Sequence, residues 1–179
     1  MRAARSSFVR LCIVLVAVVV SVRLWTPVHA QVDLYSLEAA YIYNFTEFTE
    51  WPPAQAGSAL VVCVNPHSAL GATLAKLEGR LVSGKTWSVK PIPDGAAIAG
   101  CGVLIVDDAA SSAAARAASG RDMPTLVVRA AELDASDGGY VVTLVRDGDR
   151  LRFDIDNKEA VRRHLALSSK LLRLARKVS

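Results

Sequence analysis

The residues of this 179-residue chain whose chemistry depends on spacing are Cys63 and Cys101, His67 and His164, Asp107-Asp108, and the cations Lys170, Arg173 and Lys177. Joined as a disulfide, Cys63 and Cys101 would close a loop of about 38 residues, which stabilises a fold by roughly 3 to 4 kcal/mol in the chain-entropy account. Geometry raises an objection. Cys63 lies late in one apolar run and Cys101 just ahead of another, so in adjacent parallel strands they fall at opposite ends of the sheet, whereas a disulfide needs α-carbons within about 7 Å. The pair is read as a disulfide in preference to two buried thiols, with the strands offset or antiparallel, or with a bond that is strained and easily reduced.

The remaining candidates are weaker. His67 and His164 are far apart, without a ligand-spaced Cys, His or carboxylate beside them, so no transition-metal site is expected. Asp107-Asp108 follows an apolar run, where α/β enzymes do place acids, but N-capping of the next helix by Asp108 accounts for it. Asn65-Pro66-His67-Ser68 stands where a phosphate loop would carry glycines, and no serine sits in a nucleophile elbow. The chain is therefore expected not to be an enzyme and to need no cofactor or metal.

The elements that would position these residues follow from hydrophobic period. Leu34, Leu37, Tyr41, Phe45 and Phe48 recur at steps of three and four, which predicts a helix from about Asp33 to Glu50 with that stripe in the core, stopped by Trp51-Pro52-Pro53. Asn44-Phe45-Thr46 fits a glycosylation sequon but lies inside this helix and is discounted. Ala59 to Val64, Gly102 to Val106 and Pro124 to Arg129 are continuous apolar runs that suit strands buried on both faces. Helical spacing at His67 to Leu77 and an alanine-rich stretch at Asp108 to Ser119 fall between them. Leu81-Val82 and Trp87 to Ile92 read as extended, and Asp94 to Ala99 as about one helical turn. Strand, helix, strand repeated in this way predicts a parallel sheet with helices on its faces.

The last third differs. Gly139 to Arg146 and Arg150 to Asp156, joined by Asp147-Gly148-Asp149, carry a hairpin signal, and the second run alternates apolar with charged. Asp156 or Asn157 can cap a short helix over Lys158 to His164, and Ser168 a final helix through Val178. On that last helix Leu167, Leu171, Leu174 and Val178 form an apolar stripe, and Lys170, Arg173 and Lys177 a basic one. The basic stripe suits the negative end of the helix dipole and could dock an acidic protein surface or anionic ligand.

The first thirty residues read as a secretory signal: Arg2, Arg5 and Arg10 precede an apolar run from Leu11 to Val22, and Val28-His29-Ala30 offers a cleavage site. The run is too short for a membrane span, which needs roughly 20 residues. Cleavage after Ala30 discards Cys12 and four arginines, turning 21 basic and 17 acidic residues into equal numbers of each on residues 31–179. A neutral mature chain gives no support to nucleic-acid binding, which needs a basic surface. The expectation is one exported domain, in an oxidising compartment where a cysteine pair forms a bond, with no stable insertion in the membrane.

Several segments together resemble the YfiR family of periplasmic regulators. They are Glu38-Ala39-Ala40-Tyr41-Ile42-Tyr43-Asn44-Phe45 with Trp51-Pro52 behind it, Cys63, Cys101 before Gly-Val-Leu-Ile-Val, Gly138-Gly139, Arg152-Phe153-Asp154-Ile155, and Leu167-Ser168-Ser169-Lys170-Leu171-Leu172-Arg173-Leu174-Ala175. The resemblance spans nearly all of residues 31–179. It implies a three-layer α/β/α fold with a mixed, largely parallel sheet and a C-terminal hairpin followed by helices, able to form a homodimer. It also implies a repressor that binds the periplasmic part of an inner-membrane diguanylate cyclase and so lowers cyclic-di-GMP and biofilm formation, until an outer-membrane-associated protein draws it away. Some relatives carry a second cysteine pair near the last hairpin; this chain does not. A small-ligand sensor or carrier of another signalling system is the alternative.

Overall fold

The computed structural model describes residues 33–53, 57–92, 98–134 and 139–179. The leader read at residues 1–30 lies outside them, as does most of the helical turn read from Asp94 to Ala99.

Helix α1 (Leu34–Glu47) begins where the Asp33 carboxylate accepts the Ser36 amide at 3.2 Å. It ends three residues before the sequence expectation. Thr49 Oγ1 donates to the Phe45 carbonyl at 2.7 Å, and Thr49–Glu50 leaves the helix as strand β1 to pair antiparallel with Ala166–Leu167. The buried stripe is also rotated from the expected one. Glu38, Ala39, Ile42, Phe45 and Thr46 face the sheet, while Leu34, Leu37, Tyr41 and Phe48 are only partly buried at its flank.

Strand β2 (Ala59–Val64), helix α2 (Ala69–Ala75), strand β3 (Leu81–Val82) and strand β4 (Lys85–Pro91) follow. Then come β5 (Val103–Val106), α3 (Ala109–Ala118) and β6 (Leu126–Arg129). The hairpin is β7 (Val142–Asp147) and β8 (Arg150–Ile155). After it lie α4 (Asn157–Arg162), β9 (Ala166–Leu167), α5 (Ser169–Leu174) and β10 (Lys177–Val178).

Eight strands form one mixed sheet in the order β10-β8-β7-β6-β5-β2-β4-β3, and β4, β2, β5, β6 and β7 are mutually parallel. Alternate side chains feed two cores. Val62, Val64, Val103, Ile105, Leu126 and Val128 pack under α1 and α2, while Cys63, Leu104, Val106 and Val127 meet Ala114, Ala115 and Ala118 of α3. This is the three-layer α/β/α arrangement expected from the sequence, with the C-terminal hairpin present.

Parallel strands do not prevent the disulfide. Cys63 stands opposite Leu104, and three more residues of extended chain would carry Cys101 about 10 Å along the strand. Instead β5 begins at Val103, and a turn in which the Cys101 amide bonds the Ile98 carbonyl at 3.0 Å precedes it. Gly100, at φ +93°, supplies the backbone conformation that other residues resist. Cys101 thereby sits over the α3 face, 5.7 Å from Cys63 between α-carbons, and the two sulfurs are bonded.

The final helix is shorter than expected. It stops at Leu174; Ala175 is extended, and Lys177–Val178 adds to the edge of β8 in parallel, with Lys177 beside Asp154. Amides of Arg176 and Ser179 bond the Phe153 and Ile155 carbonyls, and the Arg176 guanidinium meets the Asp154 carboxylate. An open strand edge leaves backbone groups without partners, and filling it prevails over the helical preference of Arg-Lys. Of the apolar stripe assigned to this helix only Leu171 is buried; Leu174 is 61% exposed and Val178 45%.

Candidate binding groove

The flank residues of α1 form one wall of a groove. Tyr41, Asn44, Phe45 and Phe48 face Leu151, Arg152 and Phe153 of β8, and Lys170, Leu171 and Leu174 of α5 close the third side around about 570 Å³. Phe45 and Phe153 meet at 4.9 Å between ring centres, and Tyr41 stands edge-on to both at 6.0 Å. Its hydroxyl donates to the Leu151 carbonyl at 3.3 Å. A second depression of about 410 Å³ shares Tyr41, Leu151 and Arg152 and continues past Leu37 to Asp149 and Arg150.

Helix α5 is set against this wall from both ends of its cap. The Ser168 amide bonds the Phe48 carbonyl at 2.9 Å, and Ser168 Oγ accepts the Leu171 amide at 3.2 Å. Leu171 then plugs the base, and Lys170 Nζ lies 5.1 Å from the centre of the Phe48 ring. Cation–π attraction of this kind holds an ammonium over an aromatic face. The groove therefore has an aromatic and aliphatic floor with Arg152 and Lys170 at its rim.

The three cations read from the sequence do not share one surface stripe. Lys170 lines the groove, Arg173 is exposed on α5, and Lys177 is on β10, because the helix that would have aligned them ends early. Sequence reasoning missed Tyr41 and Phe48 as groove residues by assigning them to the core. It also missed Arg152, whose place in an alternating strand was the available signal.

The acidic pair divides into two roles. Asp108 caps α3, accepting the Ser111 amide at 2.7 Å and the Asn65 side-chain amide at 2.7 Å. Burial opposes its ionisation, but those bonds prevail and hold the carboxyl below its ordinary range. Asp107 caps nothing, so capping accounts for only half of the pair. His67 and His164 are both exposed, and among the described residues no group of three or more His, Cys, Asp or Glu could hold a metal ion. No helix among them is long and apolar enough to cross a membrane.

A three-layer domain with an open apolar groove, cations at its rim and a disulfide under α3 has the makings of a binding protein. The chain belongs to the YfiR/HmsC-like family, whose sequence profile matches residues 35–176. No curated protein matches the chain. Membership makes it one of a family of periplasmic regulators.

Proposed function

We propose that residues 31–179, released by cleavage after Ala30, form a periplasmic repressor. It binds the periplasmic part of an inner-membrane diguanylate cyclase, holds the enzyme inactive, and lowers cyclic-di-GMP and biofilm formation. An outer-membrane-associated protein relieves the repression by drawing the repressor away. The observation that carries this reading is the groove between α1, β8 and α5: its exposed Leu174 offers apolar contact area and its rim cations select an acidic partner segment.

Deletion of the gene is expected to raise cyclic-di-GMP and biofilm, and the wild-type gene to reverse both. Leu174→Glu and Lys170→Glu, which alter only exposed positions, are expected to fold and be exported yet fail to restore repression. Lys177→Ala, on the far edge strand, is expected to restore it. Unchanged cyclic-di-GMP in the deletion strain sinks the proposal, and full repression by both groove variants moves the contact elsewhere.

The groove's volume also falls within the range of small-molecule sites, roughly 300 to 1,000 Å³, which favours a ligand sensor as the second reading. A periplasmic metabolite that raises the melting temperature of the purified domain, and loses that effect in Leu174→Glu, would support it.

A further inference from the structure

Helix α1, which supplies the groove wall, is fastened to the sheet at a point of unusual polarity. Glu38 is wholly buried on its sheet-facing side. Its Oε1 accepts the Ala131 amide at 2.7 Å just beyond β6, while Oε2 has no hydrogen-bond partner among the described residues. Asp107 lies just beyond β5, and both its carboxylate oxygens are shielded from solvent and likewise without partners. The hydroxyls close to it are committed elsewhere: Ser68 Oγ donates to the Asn65 carbonyl and Ser111 Oγ to Asp108.

The two carboxyls lie at the same end of the sheet, close enough for the Asp107 charge to act on Glu38. Val103 and Ile105 point toward α1, Val106 away from it, so position 107 returns to the α1 side. Val106 stands opposite Arg129 and its carbonyl accepts the Ala130 amide at 2.9 Å, so Asp107 leaves β5 next to the Ala130-Ala131 segment whose Ala131 amide holds Glu38. This is also where β2 and β5 diverge, the chain passing from β2 to β4 on one side and from β5 to β6 on the other. The charged groups that act most strongly on the pair are acidic: Asp33 from the start of α1, Asp108 from the cap of α3, and Glu132 from the segment after β6.

We propose that Glu38 and Asp107 form a proton-loaded latch between α1 and the end of the sheet, and that loss of the protons loosens α1 and with it the groove wall. A neutral carboxyl is far cheaper to bury than a charged one. Burial pushes both groups up from their ordinary values. The Ala131 bond opposes it at Glu38, and the Ser68 and Ser111 hydroxyls, close to Asp107 though outside hydrogen-bond geometry, oppose it there, while the neighbouring acids reinforce it. The folded state thus holds protons that the opened state releases. Its stability is greatest below the ordinary carboxyl range and declines as pH rises through the raised values.

Hydrogen exchange of the α1 amides, corrected for intrinsic rate and read on the mature protein without a partner from pH 5 to 8.5, tests the latch. Wild-type protection is expected to fall about tenfold per pH unit for each carboxyl that is releasing its proton. Glu38→Gln, which keeps the acceptor for Ala131, is expected to flatten that slope. Carbon-13 NMR titration of the Glu38 carboxyl in the wild type reads the same event should the variant misfold. A flat wild-type profile, an ordinary Glu38 titration, or a slope unchanged in Glu38→Gln overturns the proposal. So does a slope abolished by adding Mg²⁺ or Ca²⁺ alone, which would make the pair a cation site. Only the consequence for binding rests on the groove reading: weaker partner binding at high pH, rescued by Glu38→Gln, joins the two, and a pH-dependent α1 with unaffected binding disproves the link while the exchange result stands.

Discussion

Glu159→Ala is expected to lower the unfolding free energy by about 3 to 5 kcal/mol, the usual consequence of leaving a buried charge without its partner. Arg163, entirely shielded from solvent, directs its Nε to Glu159 Oε1 at 2.7 Å and an Nη2 to the Gly139 carbonyl at 3.3 Å. Removing the carboxylate strands that guanidinium inside the fold, where Nη1 already has no partner among the described residues. Gly139 adds to the fit: it sits at φ +61°, and a Cβ there would come within 2.9 Å of Glu159 Oε1. Burial works against ionisation of Glu159, but bonds to Arg162 and Arg163 prevail and hold its carboxyl below the ordinary value. The stability it contributes is therefore present above the unfolded carboxyl range and is lost as pH falls through the lowered value.

Two controls separate this account from a general cost of changing α4. Arg162→Ala removes the other guanidinium on Glu159, but that side chain is 34% exposed, so the loss is expected to stay near or below about 1 kcal/mol. Arg163→Met, which fills similar volume without a charge, is expected to cost much less than Glu159→Ala, because Glu159 keeps Arg162 and nothing charged is stranded. Urea unfolding of the three variants at neutral pH checks the order. Equal losses for Glu159→Ala and Arg162→Ala would contradict it.

How far the sequence reveals this architecture depends on which force decides each segment. The runs at Ala59–Val64, Val103–Val106 and Leu126–Arg129 are legible because strands buried on both faces need apolar residues at every position. Helix α1 is legible in extent, but its phase is not. Size draws the eye to Leu34, Leu37, Tyr41 and Phe48, whereas close approach of the helix to the sheet selects small Ala39 beneath it and leaves the larger residues at the flank, where they make the groove. Glu38 is hidden for the same reason, since a charged residue is normally assigned to solvent. The tail from Arg176 to Ser179 is misjudged because its local preference is helical while the vacancy it fills, the outer edge of β8, belongs to a strand twenty-odd residues earlier. Lys177 loses its place beside Lys170 by that route.

Replacing both cysteines by alanine is expected to lower the unfolding free energy by about 3 to 4 kcal/mol, the chain-entropy cost of freeing a closed segment of this length. The segment between Cys63 and Cys101 contains α2, β3 and β4, so the bond pins the whole outer part of the sheet to its centre. The groove lies elsewhere, built from α1, β8 and α5, and none of its lining residues falls inside the loop. Reduction is therefore expected to reduce stability and leave the groove's shape unchanged. The double variant, assayed well below its melting temperature, should bind the proposed cyclase partner as the wild type does, while unfolding at distinctly lower urea. Unchanged urea unfolding, or full alkylation of both thiols in protein extracted from the periplasm without reductant, would contradict a bond that contributes to the native fold. A binding defect in the cold, folded double variant would instead tie the groove to the oxidation state, through a path from Cys101 and β5 to the sheet face on which α1 rests.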